Sequence, residues 1–225
     1  MNLIPSYFFD LSTFEHSFLF DENAPPWLAL DLLVNYLNSL KLGIHKGKIS
    51  SQAYLVNPEL ISIGENSVVE PGAYIQGPCV IGKNSIIRHG AYIRGNVLIG
   101  DHCVIGHDTE IKHSILLNHA HAAHFAYLGN SILGAVNLGA GVKCANLKLD
   151  RTEISLNLNG NEIKTGMKKF GAIIGDRTQI GCNSVTNPGT LIGQDVQCFA
   201  CISLPRIVPS RSIIKPGCLP IMTTY

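Results

Sequence analysis

From residue 63 the chain places an aliphatic side chain at every sixth position: Ile63, Val69, Ile75, Ile81, Ile87, Ile93, Ile99, Ile105 and Ile111. Four residues after each of the first eight stands a compact one, Ser67, Ala73, Cys79, Ser85, Ala91, Val97, Cys103 and Thr109. Neither the helical period nor the two-residue alternation of an ordinary strand gives this register. A six-residue period predicts short flat rungs wound into a parallel β-helix, with the aliphatic column inside and the compact residues beside it. Gly64, Gly82, Gly100 and Gly106 follow their aliphatic neighbours, where the chain must turn. Coils would stack about 4.8 Å apart, the spacing of neighbouring strands. The pattern returns at Ile174, Ile180, Thr186, Ile192, Cys198 and Leu204.

Between 111 and 144 the register slips. Rungs are expected at Ile111, Leu116, Ala122, Leu128, Leu133, Leu138 and Cys144, some of five residues. Slips of this kind re-aim side chains, as bulges do in sheets, and six of the nine His lie between 102 and 124. Residues 150–169 interrupt the repeat. There Ile154, Leu156 and Leu158 alternate with polar residues ahead of Asn159-Gly160, which predicts an inserted β-hairpin. The whole fold class is therefore all-β. The six-residue repeat resembles that of left-handed β-helices, with three rungs and 18 residues per coil.

Residues 1–48 differ from the repeat that occupies 49–225. Five of the eight Phe (8, 9, 14, 18 and 20) precede Pro25-Pro26. Leu30, Leu33, Leu37 and Leu40 then share one face of an amphipathic helix that ends near Gly43. This region is expected to cap the open first coil, since an uncovered end exposes strand edges.

Charge and cysteine content narrow the classes. The 225 residues carry a net charge of +1 and only 15% charged residues, which gives no basis for a nucleic-acid or membrane-surface partner. No basic segment precedes an apolar one in the manner of a secretory signal. Trp27–Leu40 is too short and too interrupted to span a bilayer. The seven Cys are odd in number and irregularly spaced, and Cys198-x-x-Cys201 has no second pair to complete a zinc site. A reduced, cytoplasmic protein is the expectation.

Arg94 and Lys112 each follow a rung's aliphatic residue and lie 18 positions apart, one coil. They should project from the same corner, one above the other, and two stacked cations suit an anion such as phosphate. His124 is the natural general base at neutral pH.

The context of His124 is more specific. Ala123-His124-Phe125-Ala126-Tyr127-Leu128-Gly129-Asn130, then Asn137-Leu138-Gly139-Ala140-Gly141, then Asn146 resembles a signature of the acetyltransferase half of sugar-1-phosphate nucleotidyltransferases. That family includes the bifunctional N-acetylglucosamine-1-phosphate uridyltransferase/glucosamine-1-phosphate N-acetyltransferases and archaeal-type relatives, within the hexapeptide-repeat acyltransferases. The resemblance covers roughly residues 60–205. It implies an acetyl-coenzyme A-dependent N-acetyltransferase acting on an amino-sugar 1-phosphate, glucosamine 1-phosphate foremost, with His124 as base and Asn146 beside the transfer point. Arg94, Lys112 and Lys169 would meet the sugar phosphate, and Tyr127 and Asn137 the sugar. Ala140, Cys182 and Ala200 would line the acetyl-coenzyme A groove, with no metal. The working unit would be a homotrimer, with sites between chains. Leu147 after Asn146, and Cys182 in place of the usual Ser, depart from the bacterial pattern.

No Gly-rich nucleotide loop or nucleotidyltransferase domain is expected within this chain, which leaves room for a separate sugar nucleotidyltransferase as partner. Two other readings stay open. The β-helix could be the non-catalytic partner of such an enzyme. Alternatively, His102-x4-His107 and His119-x4-His124 could serve a zinc enzyme of the γ-carbonic-anhydrase kind.

Overall fold

A computed structural model describes residues 1–217; residues 218–225, Cys218 among them, lie outside the described residues. The hexads build a parallel β-helix of three sheets, with hexapeptide repeats of the left-handed kind. Among the described residues sheets A, B and C contain eight, nine and seven strands. Sheet A stacks Ile63, Ile81, Ile99, Leu116, Leu133, Ile174, Ile192 and Val208 in one inward column. Sheet B runs from Ile49 through Ile105, Ala122 and Leu138 to Ile214. Sheet C runs from Leu55 through Ile111, Leu128 and Cys144 to Thr186. All seven rungs expected across the slipped stretch stand in these columns. Their side chains form one continuous buried core.

The five-residue rungs fall at specific corners. Leu133 to Leu138 is a turn from sheet A to sheet B, while Ile111 to Leu116 and Leu128 to Leu133 are turns from sheet C to sheet A, which carry Lys112, Gly129 and Asn130. The chain leaves the helix at that same corner one coil later, at Asn146. It forms the antiparallel hairpin Ser155–Leu158 with Asn161–Lys164 and returns at Phe170. Asn159 and Gly160 turn the hairpin with positive φ at both positions, as a tight two-residue connection requires.

The N-terminal region corrects one expectation. Its aromatic segment and helix α1 (Leu28–Ser39) do not cover the open first coil. They lie along the outer face of sheet A. That face is apolar as well: Leu98, Ile115, Ile132, Ile173 and Leu191 point outward from successive rungs and are buried. They form a second core with Phe8, Phe9, Phe14, Trp27, Leu30 and Leu33, and with Ile154, Leu156 and Phe170 of the insertion. A sheet with large aliphatics on both faces must be covered on both, each buried side chain contributing about 1.5–3 kcal/mol. Polar ties fix the segment. Asp176 accepts the Asp10 N–H at 2.6 Å and the Ala135 N–H at 2.8 Å, and the His113 ring bonds the Leu30 carbonyl at 3.0 Å. The first rung is instead met by Gly43–Lys46, whose Gly43 N–H donates to the Ile61 carbonyl and whose His45 bridges Ile63.

Candidate functional site

Two corners of the prism gather most of the residues that the sequence singles out. At the turn from sheet B to sheet C, one column runs His107, His124, Ala140, Cys182, Ala200. His107 and His124 are partners in register. Above them the Gly141 N–H donates to the His124 carbonyl, the Asn183 N–H to the Ala140 carbonyl and the Cys201 N–H to the Cys182 carbonyl. His124, expected as base, and all three residues expected to line the groove thus share one ridge, which changes from imidazoles to small side chains at His124. Below, the rings of His89 and His107 stack with centroids 6.0 Å apart. His124 and Cys182 are exposed. Phe125 adopts the left-handed conformation, φ 50°, in the column that holds Gly90 and Gly141. That conformation costs a bulky residue of order 1–3 kcal/mol, and its ring packs edge-on against His107 at 5.0 Å.

The second corner is the turn from sheet C to sheet A. Arg94 donates its N–H to the Ile111 carbonyl, so Arg94 and Lys112 stack one coil apart, as their spacing required. Beside them on the outer face of sheet C stand Tyr92, Glu110 and Tyr127 in register. The Glu110 carboxylate takes the Arg94 guanidinium at 2.7 Å, a residue and a contact that sequence reasoning missed; the two-residue spacing that puts Glu110 and Lys112 on one side of a rung was the available signal. This hydrogen bond raises the Arg94 guanidinium pKa. Burial, reinforced by Glu110, holds the Tyr127 phenol above its ordinary value, with Arg94 opposing.

Tyr127 leads on to Asn146. Its hydroxyl donates to Asn146 Oδ1 at 3.4 Å, and Asn146 Nδ2 donates to Asn130 Oδ1 at 2.8 Å. Asn130 is buried, and with its left-handed backbone it fixes the Asn146 amide. Gly129 makes the approach possible: a Cβ there would lie 2.5 Å from Asn146 Nδ2 and 2.7 Å from Tyr127 Oη. Lys169 joins this corner through a bridge to Leu147, while the Phe170 N–H donates to the Asn146 carbonyl. Arg94, Lys112, Tyr127, Asn146 and Lys169 are therefore brought to one side of the prism.

Asn137 is not among them. It lies on the outer face of sheet B, in register with His121 and bonded to Gln179 at 3.2 Å. His124 is separate too, across the width of sheet C from the Lys112–Gly129 register, roughly 15 Å at the rise of a strand. The paired imidazoles also divide. His102 and His119 stack 5.0 Å apart at the turn from sheet A to sheet B, on the opposite side of sheet B from His107 and His124. Among the described residues no group of three or more His, Cys, Asp or Glu is arranged to hold a metal ion. Nor is any helix among them long and apolar enough to cross a membrane. A cleft of about 290 Å³ lies elsewhere, between Phe14–His16, Leu40–Ile44 and the first coils; the His124 corner is an open ridge.

Parts of this sequence are similar to known proteins. Residues 75–155 match the family model of the GMPPB C-terminal domain, and residues 171–197 that of the hexapeptide repeat of succinyl-transferase. The chain is 41% identical, over 31% of its length, to a bifunctional sugar-1-phosphate nucleotidylyltransferase/acetyltransferase of Sulfurisphaera tokodaii, of which the match spans 18%. It is 32% identical, over 76% of its length, to the bifunctional protein GlmU of Methanococcus aeolicus, of which the match spans 41%. The chain thus spans less than half the length of these curated relatives. Among solved structures, UDP-N-acetylglucosamine acyltransferase from Campylobacter jejuni aligns over 74% of this chain and 70% of its own, with 18% identity and a TM-score of 0.47.

Proposed function

We propose that this hexapeptide-repeat β-helix transfers the acetyl group of acetyl-coenzyme A to the amine of an amino-sugar 1-phosphate, glucosamine 1-phosphate being the acceptor that its motif fits best. The observation that carries the reading is the single ridge on which His124 stands in line with Ala140, Cys182 and Ala200. It puts a base at the end of a track of small side chains, where an extended pantetheine arm can lie. The acceptor amine is an ammonium at neutral pH and must lose a proton before it attacks. His124 accepts that proton as the nitrogen adds to the thioester carbonyl. The C–N bond forms, the C–S bond breaks, and coenzyme A leaves. No enzyme nucleophile is needed, so Cys182 is a wall of the groove.

Lys112 and Lys169, with Arg94, hold the phosphate, while Tyr127 and the fixed amide of Asn146 orient the sugar beside the transfer point. Such orientation can supply several kcal/mol. His124 and Lys112 of one chain flank sheet C, roughly 15 Å apart along the backbone, which favours a site completed between chains. A neighbouring copy supplies the missing half, and Asn137 on sheet B is then free to reach a site on that neighbour. Sheet A is covered by the chain's own N-terminal segment, so sheets B and C are the faces left for packing. A closed threefold arrangement meets that need, and light scattering should give about three times the chain's 24.3 kDa. The activity is tested by following coenzyme A release against a panel of amino-sugar phosphates. Release with glucosamine 1-phosphate supports the reading, and release with none of the panel ends it.

A further inference from the structure

Cys198 and Cys201, two residues apart in a C-x-x-C motif, are separated by the fold. Cys198 points inward, in register with Ile180 and Ile214, and is buried in the core. Cys201 is exposed, and so is Cys182. Cys182 is the second residue after the inward Ile180, and Cys201 the third after Cys198, one coil above. The Cys201 N–H donates to the Cys182 carbonyl at 2.8 Å. That bond holds the two Cα atoms roughly 5–6 Å apart, within the range that a disulfide spans. Lower on the same ridge, side chains at the same two positions do meet. There the Phe125 N–H donates to the His107 carbonyl at 2.9 Å, and the two rings touch edge-on at 5.0 Å.

Cys201 also holds a costly backbone conformation. Its φ is 60°, in the left-handed region that suits Gly, Asn and Asp but not a thiol side chain. Gly90, Asp108, Gly141 and Asn183 occupy the corresponding place on other coils. A strained residue at an exposed corner points to a use for its side chain.

We propose that Cys182 and Cys201 are a dithiol that exchanges with small disulfides of the glutathione class and closes as a disulfide across the ridge. Cys182 stands between Ala140 and Ala200, whose small side chains let a tripeptide disulfide approach. The Cys182 thiolate attacks one sulfur of glutathione disulfide. A mixed disulfide forms, the S–S bond of the reagent breaks, and one glutathione leaves as a thiolate. The Cys201 thiolate then attacks the Cys182 sulfur and expels the second glutathione. Two protein thiols are oxidised, one glutathione disulfide is reduced to two thiols, and the two thiol protons pass to the departing glutathiones. An exposed disulfide of this kind is labile and reversible. Once closed, it lies over the step from Cys182 to Ala200, and the coenzyme track loses that step. This consequence, unlike the bond itself, rests on the reading of the ridge as the coenzyme track.

The full chain is equilibrated with glutathione disulfide, quenched with acid and mapped by mass spectrometry without reduction. The expected product is a chain lighter by two hydrogens, with Cys182 linked to Cys201 and full reversal by dithiothreitol. Cys201→Ser should stop at the first step and retain one glutathione on Cys182. Calorimetric titration with coenzyme A should show binding at least about tenfold weaker to the oxidised chain than to the reduced one. Glutathione retained on Cys182 of the parent, a bond from either residue to Cys198, or a bond between two chains would each overturn the pair. Equal coenzyme A affinity in the two forms would overturn the obstruction of the track. If the reduced chain binds no coenzyme A while the pair still closes, the redox site stands and the reading of the ridge as the transfer site fails.

Discussion

Glu110 holds Arg94. The 2.7 Å contact between them takes up much of the positive charge that the stacking of Arg94 on Lys112 would otherwise present, and Lys112 has no such partner among the hydrogen bonds and ion pairs of the described residues. The two cations are therefore unequal. Lys112→Ala should raise the KM for the sugar phosphate by roughly 10- to 100-fold, the loss of one charge-assisted contact. Arg94→Ala should cost less, and Glu110→Gln should lower KM by freeing the guanidinium. Steady-state kinetics on the three variants decides it. Equal KM values in Arg94→Ala and Lys112→Ala would show that the ion pair opens when substrate binds.

The second core makes the N-terminal segment part of the fold. Trp27 is buried against Phe170, with ring centroids 5.9 Å apart, and Trp27→Ala should cost about 3–5 kcal/mol. Leu149→Ala, at a side chain fully open to solvent, should change stability by less than about 0.5 kcal/mol. Urea denaturation monitored by circular dichroism measures both. A small effect at Trp27 would mean that the segment folds independently of sheet A.

Most of the β-helix was legible because its physics is periodic. A narrow interior admits one aliphatic side chain per rung, so the column is written into the chain every sixth residue, and even the slipped rungs could be placed from Leu116 and Leu133. The outward row of sheet A was equally present, at Leu98, Ile115, Ile132, Ile173 and Leu191, but one residue out of step with the strongest repeat. The aromatic segment is expected at the open end because an uncovered end exposes strand edges, and the apolar outer face of sheet A outweighs that. At the site, the stacking of Arg94 on Lys112 followed from one-coil spacing. The alignment of His124 with Ala140, Cys182 and Ala200 crosses a 16-residue coil and the insertion, so spacing alone could not give it. Glu110 and Asn130 were missed because their roles are contacts across coils; the two-residue spacing of Glu110 from Lys112 gave its side of the rung but not its partner.

Two half-buried histidines fasten the N-terminal segment, His16 to Tyr36 within it and His113 of the β-helix to the Leu30 carbonyl. Burial lowers both below the usual 6.5. In the unfolded chain they take up protons first, so their neutral contacts are fully stabilising above about pH 6.5 and are lost as pH falls toward the lowered folded values. Hydrogen exchange over residues 1–40, corrected for intrinsic rate, should show weaker protection near pH 5.5 than near pH 7.5. The double variant His16→Gln, His113→Gln should flatten that dependence. Equal protection of the parent at both values would refute it.

The cysteines report on the groove. Burial pushes the thiols of Cys79 and Cys103 up to about 12 and that of Cys144 to about 11, so these should alkylate only after unfolding. Cys182 and Cys201 are exposed and should react in the native protein. Saturating coenzyme A should protect Cys182, which peptide mapping by mass spectrometry can follow. A Cys182 alkylation rate that coenzyme A leaves unchanged would place the coenzyme elsewhere.

The role of His124 is tested most directly by the turnover of His124→Ala with acetyl-coenzyme A and glucosamine 1-phosphate at neutral pH. The exposed ring makes no hydrogen bond among the described residues, so its removal should leave the fold and coenzyme A affinity intact while kcat falls roughly 10²–10⁴-fold, the contribution of a general base. A variant that turns over as fast as the parent would contradict the assignment of His124, and with it the reading of the ridge as the transfer site.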